Sequence, residues 1–191
     1  MKTILAFLLL FSTTTFSQEK MQSKIPAAAE LLAPAIKQAE DQQKNVMVIF
    51  HASWCGWCKK MDAAMNDPLI KNLFTDNYIT VHLTVLENEQ NKNLENKGAF
   101  EVLKKYNGRE AGLPFFVILN HKEELLATSF MRPPDVPLTA TGYKSNTGCP
   151  AEDDEIAYFV RLLKATSRLD DAALQLIATR FSKNKRQRSS N

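Results

Sequence analysis

The chain has 191 residues, of which 45% are hydrophobic and 24% charged, and its formal net charge is +3. These values are ordinary for a soluble globular protein of about one domain. Four positive charges fall within residues 183–191, so the rest of the chain is nearly neutral. The sequence therefore gives no indication of a broad basic face for nucleic acid.

The first residues have the layout of a secretory signal peptide. Lys2 is followed by an apolar run over residues 4–11 and by small, hydroxylated residues over 12–17. The apolar run is far shorter than the roughly 20 residues of a membrane-spanning helix. We therefore expect a signal peptide over residues 1–17 and a flexible lead over 18–25, the alternative being an apolar first helix of the domain. Export would place the mature chain in the periplasm or outside the cell, where disulfides persist.

Residues 26–182 form one predicted domain in which helical and strand patterns alternate. In chain order, the periodicity predicts a helix over 26–45, a strand over 46–51, helices over 55–66 and 68–74, a strand over 78–85, a helix over 98–106, strands over 115–119 and 124–130, and helices over 152–166 and 170–181. A solvated loop is expected over 87–97, an irregular stretch over 131–150 and a disordered basic tail over 183–191. This order predicts an α/β fold with a central mixed β-sheet, helices on both faces and an extra C-terminal helix.

Two of the three cysteines form a C-x-x-C pair directly after the first predicted strand. Cys55 would lie where the next helix begins and Cys58 three residues inside it. A helix N-terminus favours a thiolate and lowers a cysteine pKa from about 8.5 to about 3.5–7.5. We therefore expect Cys55 to be the attacking thiol and Cys58 the more buried, resolving thiol of a disulfide-exchange site. Lys59 adds positive potential, weakened by exposure to water.

Other uses of a C-x-x-C pair stay open. Zinc would need further ligands from Cys149 or from histidines, none of which forms a second close pair. Haem attachment is discounted, because it would need a histidine after Cys58, where the chain has Lys59. An inert disulfide is the second alternative, although a loop this short gives little stabilisation. We expect no metal and no cofactor.

The run Phe50-His51-Ala52-Ser53-Trp54-Cys55-Gly56-Trp57-Cys58-Lys59 resembles the active-site segment of the thioredoxin superfamily. The segments 58–61 and 66–68 are similar to exported thioredoxin-like proteins and to the C-terminal domain of DsbD. A second match is Gly112-Leu113-Pro114-Phe115 at the start of a strand. The resemblance covers roughly residues 28–168 and implies a thioredoxin fold.

The resemblance also implies roles for individual residues. Cys55 would be the nucleophile and Cys58 the resolving thiol. Pro114 would follow a cis peptide bond and face the cysteines, leaving the backbone of Leu113 to pair with an extended substrate strand. Trp54 would pack beside the site, and Trp57, at the exposed end of the helix, would contact partners.

Three positions depart from the family pattern or lie outside it. Ile49 stands where thioredoxin has a buried aspartate, and His82 stands where that aspartate has its lysine partner. Proton transfer at Cys58 would then need water or another group, and we hypothesise that His51 tunes the thiols. Cys149 is interpreted as a free thiol, with a third redox thiol or an intermolecular bridge as alternatives.

The sequence thus predicts a thiol–disulfide oxidoreductase that reduces or exchanges disulfides in exported proteins. A membrane electron donor is a possible partner, and neither nucleic acid nor a transmembrane segment of the mature chain is expected. The alternatives are a disulfide oxidase or isomerase, and a thioredoxin-fold binding or chaperone module with secondary redox activity.

Overall fold

A computed structural model describes residues 25–185. The predicted signal peptide, most of the lead and residues 186–191 lie outside this part of the chain. In chain order the elements are α1 (Ala28–Gln42), β1 (Asn45–His51), α2 (Gly56–Met65), α3 (Lys71–Thr75), β2 (Tyr78–Thr84), α4 (Ala99–Lys105), β3 (Phe115–Leu119), β4 (Leu125–Thr128), α5 (Asp153–Thr166) and α6 (Asp171–Ser182). Among residues 25–185, no helix is both long and apolar enough to cross a membrane.

The four strands form one mixed sheet in the order β2-β1-β3-β4. β1 pairs in parallel with β2 and antiparallel with β3, and β3 pairs antiparallel with β4. Residues 46–50 of β1 and 115–119 of β3 are all buried, as expected for apolar central strands covered on both faces. The α/β fold predicted from the sequence is confirmed.

Alternate residues of β1 face two separate cores. Met47 and Ile49 pack in a core that includes residues of α2, α5 and α6. Val46, Val48 and Phe50 pack in a second core with residues of α1 and α4. Because side chains alternate across a strand, the two cores lie on opposite faces of the sheet. Helices therefore cover both faces. The C-terminal end of β1 brings the chain to Cys55 at the start of α2.

Several boundaries differ from the sequence prediction. α1 ends at Gln42, since Asn45 already belongs to β1, and β4 ends at Thr128 rather than at residue 130. Residues 68–70 form a turn, and α3 begins only at Lys71. The predicted solvated loop over 87–97 contains a 3₁₀ helix at Glu89–Leu94, and its Glu87 is buried. The predicted tail begins at Lys183, yet Asn184 is buried and its side chain donates a hydrogen bond to Cys149 Sγ. Asn184, which lies beyond the end of α6, is therefore part of the fold.

The segment after β4, residues 131–150, folds back along the end of the sheet. Phe130 forms an antiparallel bridge with Asn146, and the Thr147 amide donates to the Ser129 carbonyl at 2.9 Å. The Asn146 side chain then donates to the Pro114 carbonyl at 3.0 Å. This connecting segment therefore reaches the loop that precedes β3.

Candidate active site

Cys55 and Cys58 are joined by a disulfide, with an Sγ–Sγ distance of 2.02 Å. Cys55 is the N-cap residue of α2, in an extended conformation, and Cys58 lies in the first turn of that helix. The Cys58 amide donates to Cys55 Sγ at 3.1 Å. The amides of the first turn of a helix lack partners within it, so this N–H is available to stabilise a thiolate when the pair is reduced.

The two cysteines are equally buried, each with 3% of its surface exposed. The prediction that Cys58 is more buried than Cys55 was therefore wrong. Ala52 packs with both cysteines, and the side chains of Trp57 and Leu113 cover the cluster. Both side chains are partly buried and pack against the disulfide, so they restrict the access of a reacting thiol.

The two tryptophans occupy different environments from those expected. Trp57 is partly buried and packs against the cysteine cluster and the larger core, with Lys60 Nζ 4.4 Å from its ring centre. Trp54 is 55% exposed, and its indole N–H donates to the Leu86 carbonyl at 2.9 Å. Trp57 is thus the tryptophan that packs on the site, while Trp54 presents its ring to solvent.

Leu113, the residue before Pro114, packs against the cysteine pair. The resemblance implied a cis bond here, and the Leu113–Pro114 peptide bond is cis in the structure. Among residues 25–185, neither the amide nor the carbonyl of Leu113 takes part in a backbone hydrogen bond. A groove of about 290 Å³ passes Leu113, lined also by Trp57, Gly112, Asn146, Gly148 and Cys149.

Glu87 is a site residue that the sequence interpretation missed. Its buried carboxylate accepts hydrogen bonds from the Ser53 amide at 2.5 Å and from the Ser53 hydroxyl at 2.7 Å. Ser53 lies in the turn between β1 and α2, so Glu87 fixes the backbone that leads into Cys55. Only the acidic residue type was visible in the sequence, because its partner lies 34 positions away.

His51 belongs to a polar cluster at the end of β1. Its Nε2 lies 3.2 Å from the Thr84 hydroxyl, and its ring meets that of His82 edge-on. His82 Nε2 in turn lies 2.9 Å from Asp62 Oδ1 on α2. Burial, followed by repulsion from His82, holds the pKa of His51 below its usual 6.5, against smaller opposing effects of Asp62 and Glu87. The neutral form of His51 is therefore favoured at pH 7.

Cys149 and Lys59 flank the site. Cys149 is buried, and burial raises the pKa of its thiol to about 12. A thiol with so high a pKa is almost entirely protonated at neutral pH, which disfavours a third redox thiol in this fold. Lys59 is exposed on α2. Within the described chain, no group of three or more His, Cys, Asp or Glu residues is arranged to hold a metal ion.

The fold and the site define a class: a thioredoxin-fold protein that carries a disulfide at the N-terminus of the helix following its first strand. The family described as Thioredoxin-like matches residues 28–121, which include the cysteine pair and Pro114. Residues 28–121 therefore belong to the thioredoxin superfamily. The disulfide at this position supports a redox role for the pair.

Several solved structures are similar at low identity. A disulphide isomerase from Xylella fastidiosa Temecula1 is 20% identical over 51% of this chain and 69% of its own, with a TM-score of 0.42. A DsbH oxidoreductase is 18% identical over 81% and 94%, with a TM-score of 0.44. The oxidised C-terminal domain of DsbD from Neisseria meningitidis is 19% identical over 56% and 84%, with a TM-score of 0.41. The comparison with curated proteins finds no match.

Proposed function

We propose that the chain is a thiol–disulfide oxidoreductase that reduces or exchanges disulfides in exported proteins. The observation that carries this proposal is the Cys55–Cys58 disulfide at the start of α2, with the Cys58 amide directed at Cys55 Sγ. The structure holds the oxidised state of the pair. Reduction of the pair by a dithiol donor would yield the form that attacks a substrate.

The reaction needs only the two sulfurs. The Cys55 thiolate attacks one sulfur of a substrate disulfide, which forms a mixed disulfide and releases the other substrate sulfur as a thiolate. The Cys58 thiolate then attacks Cys55 Sγ, which releases the second substrate thiolate and re-forms the bond between Cys55 and Cys58. Two electrons pass to the substrate, and a donor must return two electrons to the pair for the next cycle.

The groove beside Leu113 supports the binding of an extended substrate. The free backbone groups of Leu113 can pair with a polypeptide strand, as in β-augmentation. Trp57 forms one wall of this groove, and Asn146 of the connecting segment lies on another. Trp54 is exposed and does not line this groove, so it offers a separate aromatic contact to partner proteins.

The direction of electron flow is proposed to be reduction, with electrons supplied by a membrane donor and the mature protein located in the periplasm or outside the cell. A redox titration against glutathione tests the direction. A reductase is expected to have a potential near the roughly −270 mV of thioredoxin, whereas an oxidase is expected near about −120 mV. A value near the latter would overturn the proposed direction while leaving the exchange chemistry intact.

The burial of Cys55 favours one second candidate, a binding module in which the disulfide is not used. An insulin-reduction assay with dithiothreitol as donor separates the two. The oxidoreductase predicts acceleration by the wild-type chain, its loss in Cys55→Ser and its retention in the control Cys149→Ser. In the variant Cys58→Ser, a mixed disulfide through Cys55 should accumulate and be visible by mass spectrometry. No acceleration by the wild type with any dithiol donor would support the binding module instead.

A further inference from the structure

A cavity lies away from the cysteine pair, between α4, β4 and the connecting segment. Its volume is about 700 Å³, within the usual range for small-molecule sites. Neither cysteine of the disulfide lines it. The cavity and the groove beside Leu113 are neighbours along the chain, because Glu110 lines the cavity and the next residue, Ala111, lines the groove.

Arg132 is a buried cation in the wall of this cavity, with 7% of its surface exposed. Its guanidinium donates to the carbonyls of Phe130 and Ala140, to the Thr128 hydroxyl and to the Tyr158 hydroxyl. All four acceptors are neutral. These bonds hold the connecting segment in place and leave the positive charge without a counter-ion, which is an unfavourable state for a buried ion.

Four further cations line the same cavity, namely Lys104, Lys105, Arg109 and Lys144. Lys104 forms an ion pair with Glu101, whereas the ion pairs among residues 25–185 include neither the other three nor Arg132. Glu110 is the single carboxylate among the lining residues. The cavity therefore carries an excess of positive charge that an anionic group would balance.

The remaining wall is apolar and aromatic. Tyr106 and Phe130 are buried, and Leu125 and Tyr143 are partly buried. The guanidinium carbon of Arg132 lies 5.6 Å from the Tyr143 ring centre, and Lys105 Nζ lies 5.4 Å from that of Tyr106. Cationic groups and flat apolar surfaces thus meet in one space, which suits a ligand that combines an apolar body with a negative head.

We infer that this cavity is a binding site for an organic carboxylate with an apolar or aromatic body. Arg132 and the other cations that line the cavity bind the carboxylate, and the aromatic wall covers the body. Nothing in this inference requires redox chemistry at Cys55. The carboxylate belongs either to a free small acid or to an acidic side chain next to an aromatic one in a bound polypeptide, and the chemistry of recognition is the same.

Calorimetric titration of the full chain with 2-naphthoate tests the inference. One site per chain is expected, with a Kd of about 1 mM or tighter for a ligand of roughly thirteen non-hydrogen atoms. The neutral analogue 2-naphthamide should bind at least about fivefold more weakly, since hydrogen bonds to charged groups are the stronger ones. Equal binding of acid and amide, or no binding of the acid, would overturn the inference.

Charge-removing variants locate the site. The double variant Lys105→Gln/Lys144→Gln should weaken naphthoate binding about five- to tenfold, from two solvent-facing cations of modest individual effect. The matched control Lys71→Gln/Lys183→Gln removes the same charge on the other side of the sheet and should leave the Kd unchanged. Arg132→Gln should weaken binding further, provided its circular dichroism shows a folded chain. If this variant does not fold, the double lysine variant alone decides whether the cavity is the binding site. An equal effect of test and control would refute the site.

Two further arms identify the source of the carboxylate. A capped peptide containing Phe-Glu, compared with one containing Phe-Gln, is tested for competition with naphthoate. If the acidic peptide competes with naphthoate, the site is assigned to polypeptide ligands. If naphthoate binds and the acidic peptide does not compete, the site is assigned to free acids. The variant Cys55→Ser should bind naphthoate with the wild-type Kd, so failure of the proposed redox function and failure of this site are distinguishable.

Discussion

Replacing Glu87 by alanine should destabilise the protein through the turn that precedes Cys55. The buried carboxylate accepts two hydrogen bonds from Ser53, and each hydrogen bond to a charged group contributes about 1.5–3 kcal/mol. The two bonds hold one turn and are not independent, so their effects do not add fully. We therefore expect Glu87→Ala to lower the free energy of unfolding by about 2–4 kcal/mol.

The conservative variant Glu87→Gln separates charge from shape. An amide keeps an acceptor for the Ser53 amide while losing the negative charge, so the expected loss is only about 1 kcal/mol. Glu89 lies exposed in the same loop, and Glu89→Ala should change the free energy of unfolding by less than about 0.5 kcal/mol. Urea denaturation measures all three values, with the cysteine pair kept oxidised.

Hydrogen exchange at the Ser53 amide tests whether the effect is local. Loss of the carboxylate should remove protection at this amide in Glu87→Ala before the rest of β1 is affected. If alanine and glutamine cost the same, or if Ser53 protection is unchanged, the carboxylate does not hold the turn and the reasoning fails.

Three further outcomes follow from the site. Cys149→Ser should leave disulfide-exchange activity unchanged, and Cys149 should react with a thiol reagent at pH 7 only after unfolding, because its pKa is about 12; fast labelling of the folded chain would contradict this. The lowered pKa of His51 means that the unfolded state binds a proton at this residue more readily than the folded state does. The free energy of unfolding should therefore lose nothing to His51 above about pH 6.5 and should fall as the pH drops towards the folded-state pKa. His51→Gln should therefore lose less stability than wild type between pH 7.5 and pH 5, and parallel losses would remove the assignment. Trp57→Ala should speed reduction of the buried disulfide by dithiothreitol, measured by thiol labelling, whereas Trp54→Ala serves as the control and should not.

The sequence predicted those features that depend on local chemistry. The apolar strand ending at His51, the C-x-x-C spacing and the start of α2 lie within a few residues of one another, so one short segment was enough to place both cysteines. The segment around Leu113 was found from its motif. The α/β order also followed from periodicity, because each helix and strand has its own apolar pattern.

Features that depend on distant partners were not predictable in this way. In the sequence, Glu87 is an acidic residue in a polar loop, and only the fold shows that it bonds to Ser53. Cys55 is buried in part by Leu113, which comes 58 positions later in the chain. The burial of Arg132 could not be predicted, because its acceptors are backbone carbonyls and hydroxyls, which carry no sequence signal. Burial and hydrogen bonding across the fold had to be seen in three dimensions.

The bridge between Phe130 and Asn146 has a consequence for self-association. β4 is the last strand of the sheet, and an open outer strand is a template on which another chain can add its own. The returning segment occupies the backbone groups just beyond that strand, through the bonds of Ser129 and Met131. Shortening the segment would uncover them, and the molecule would then be prone to join its neighbours edge to edge.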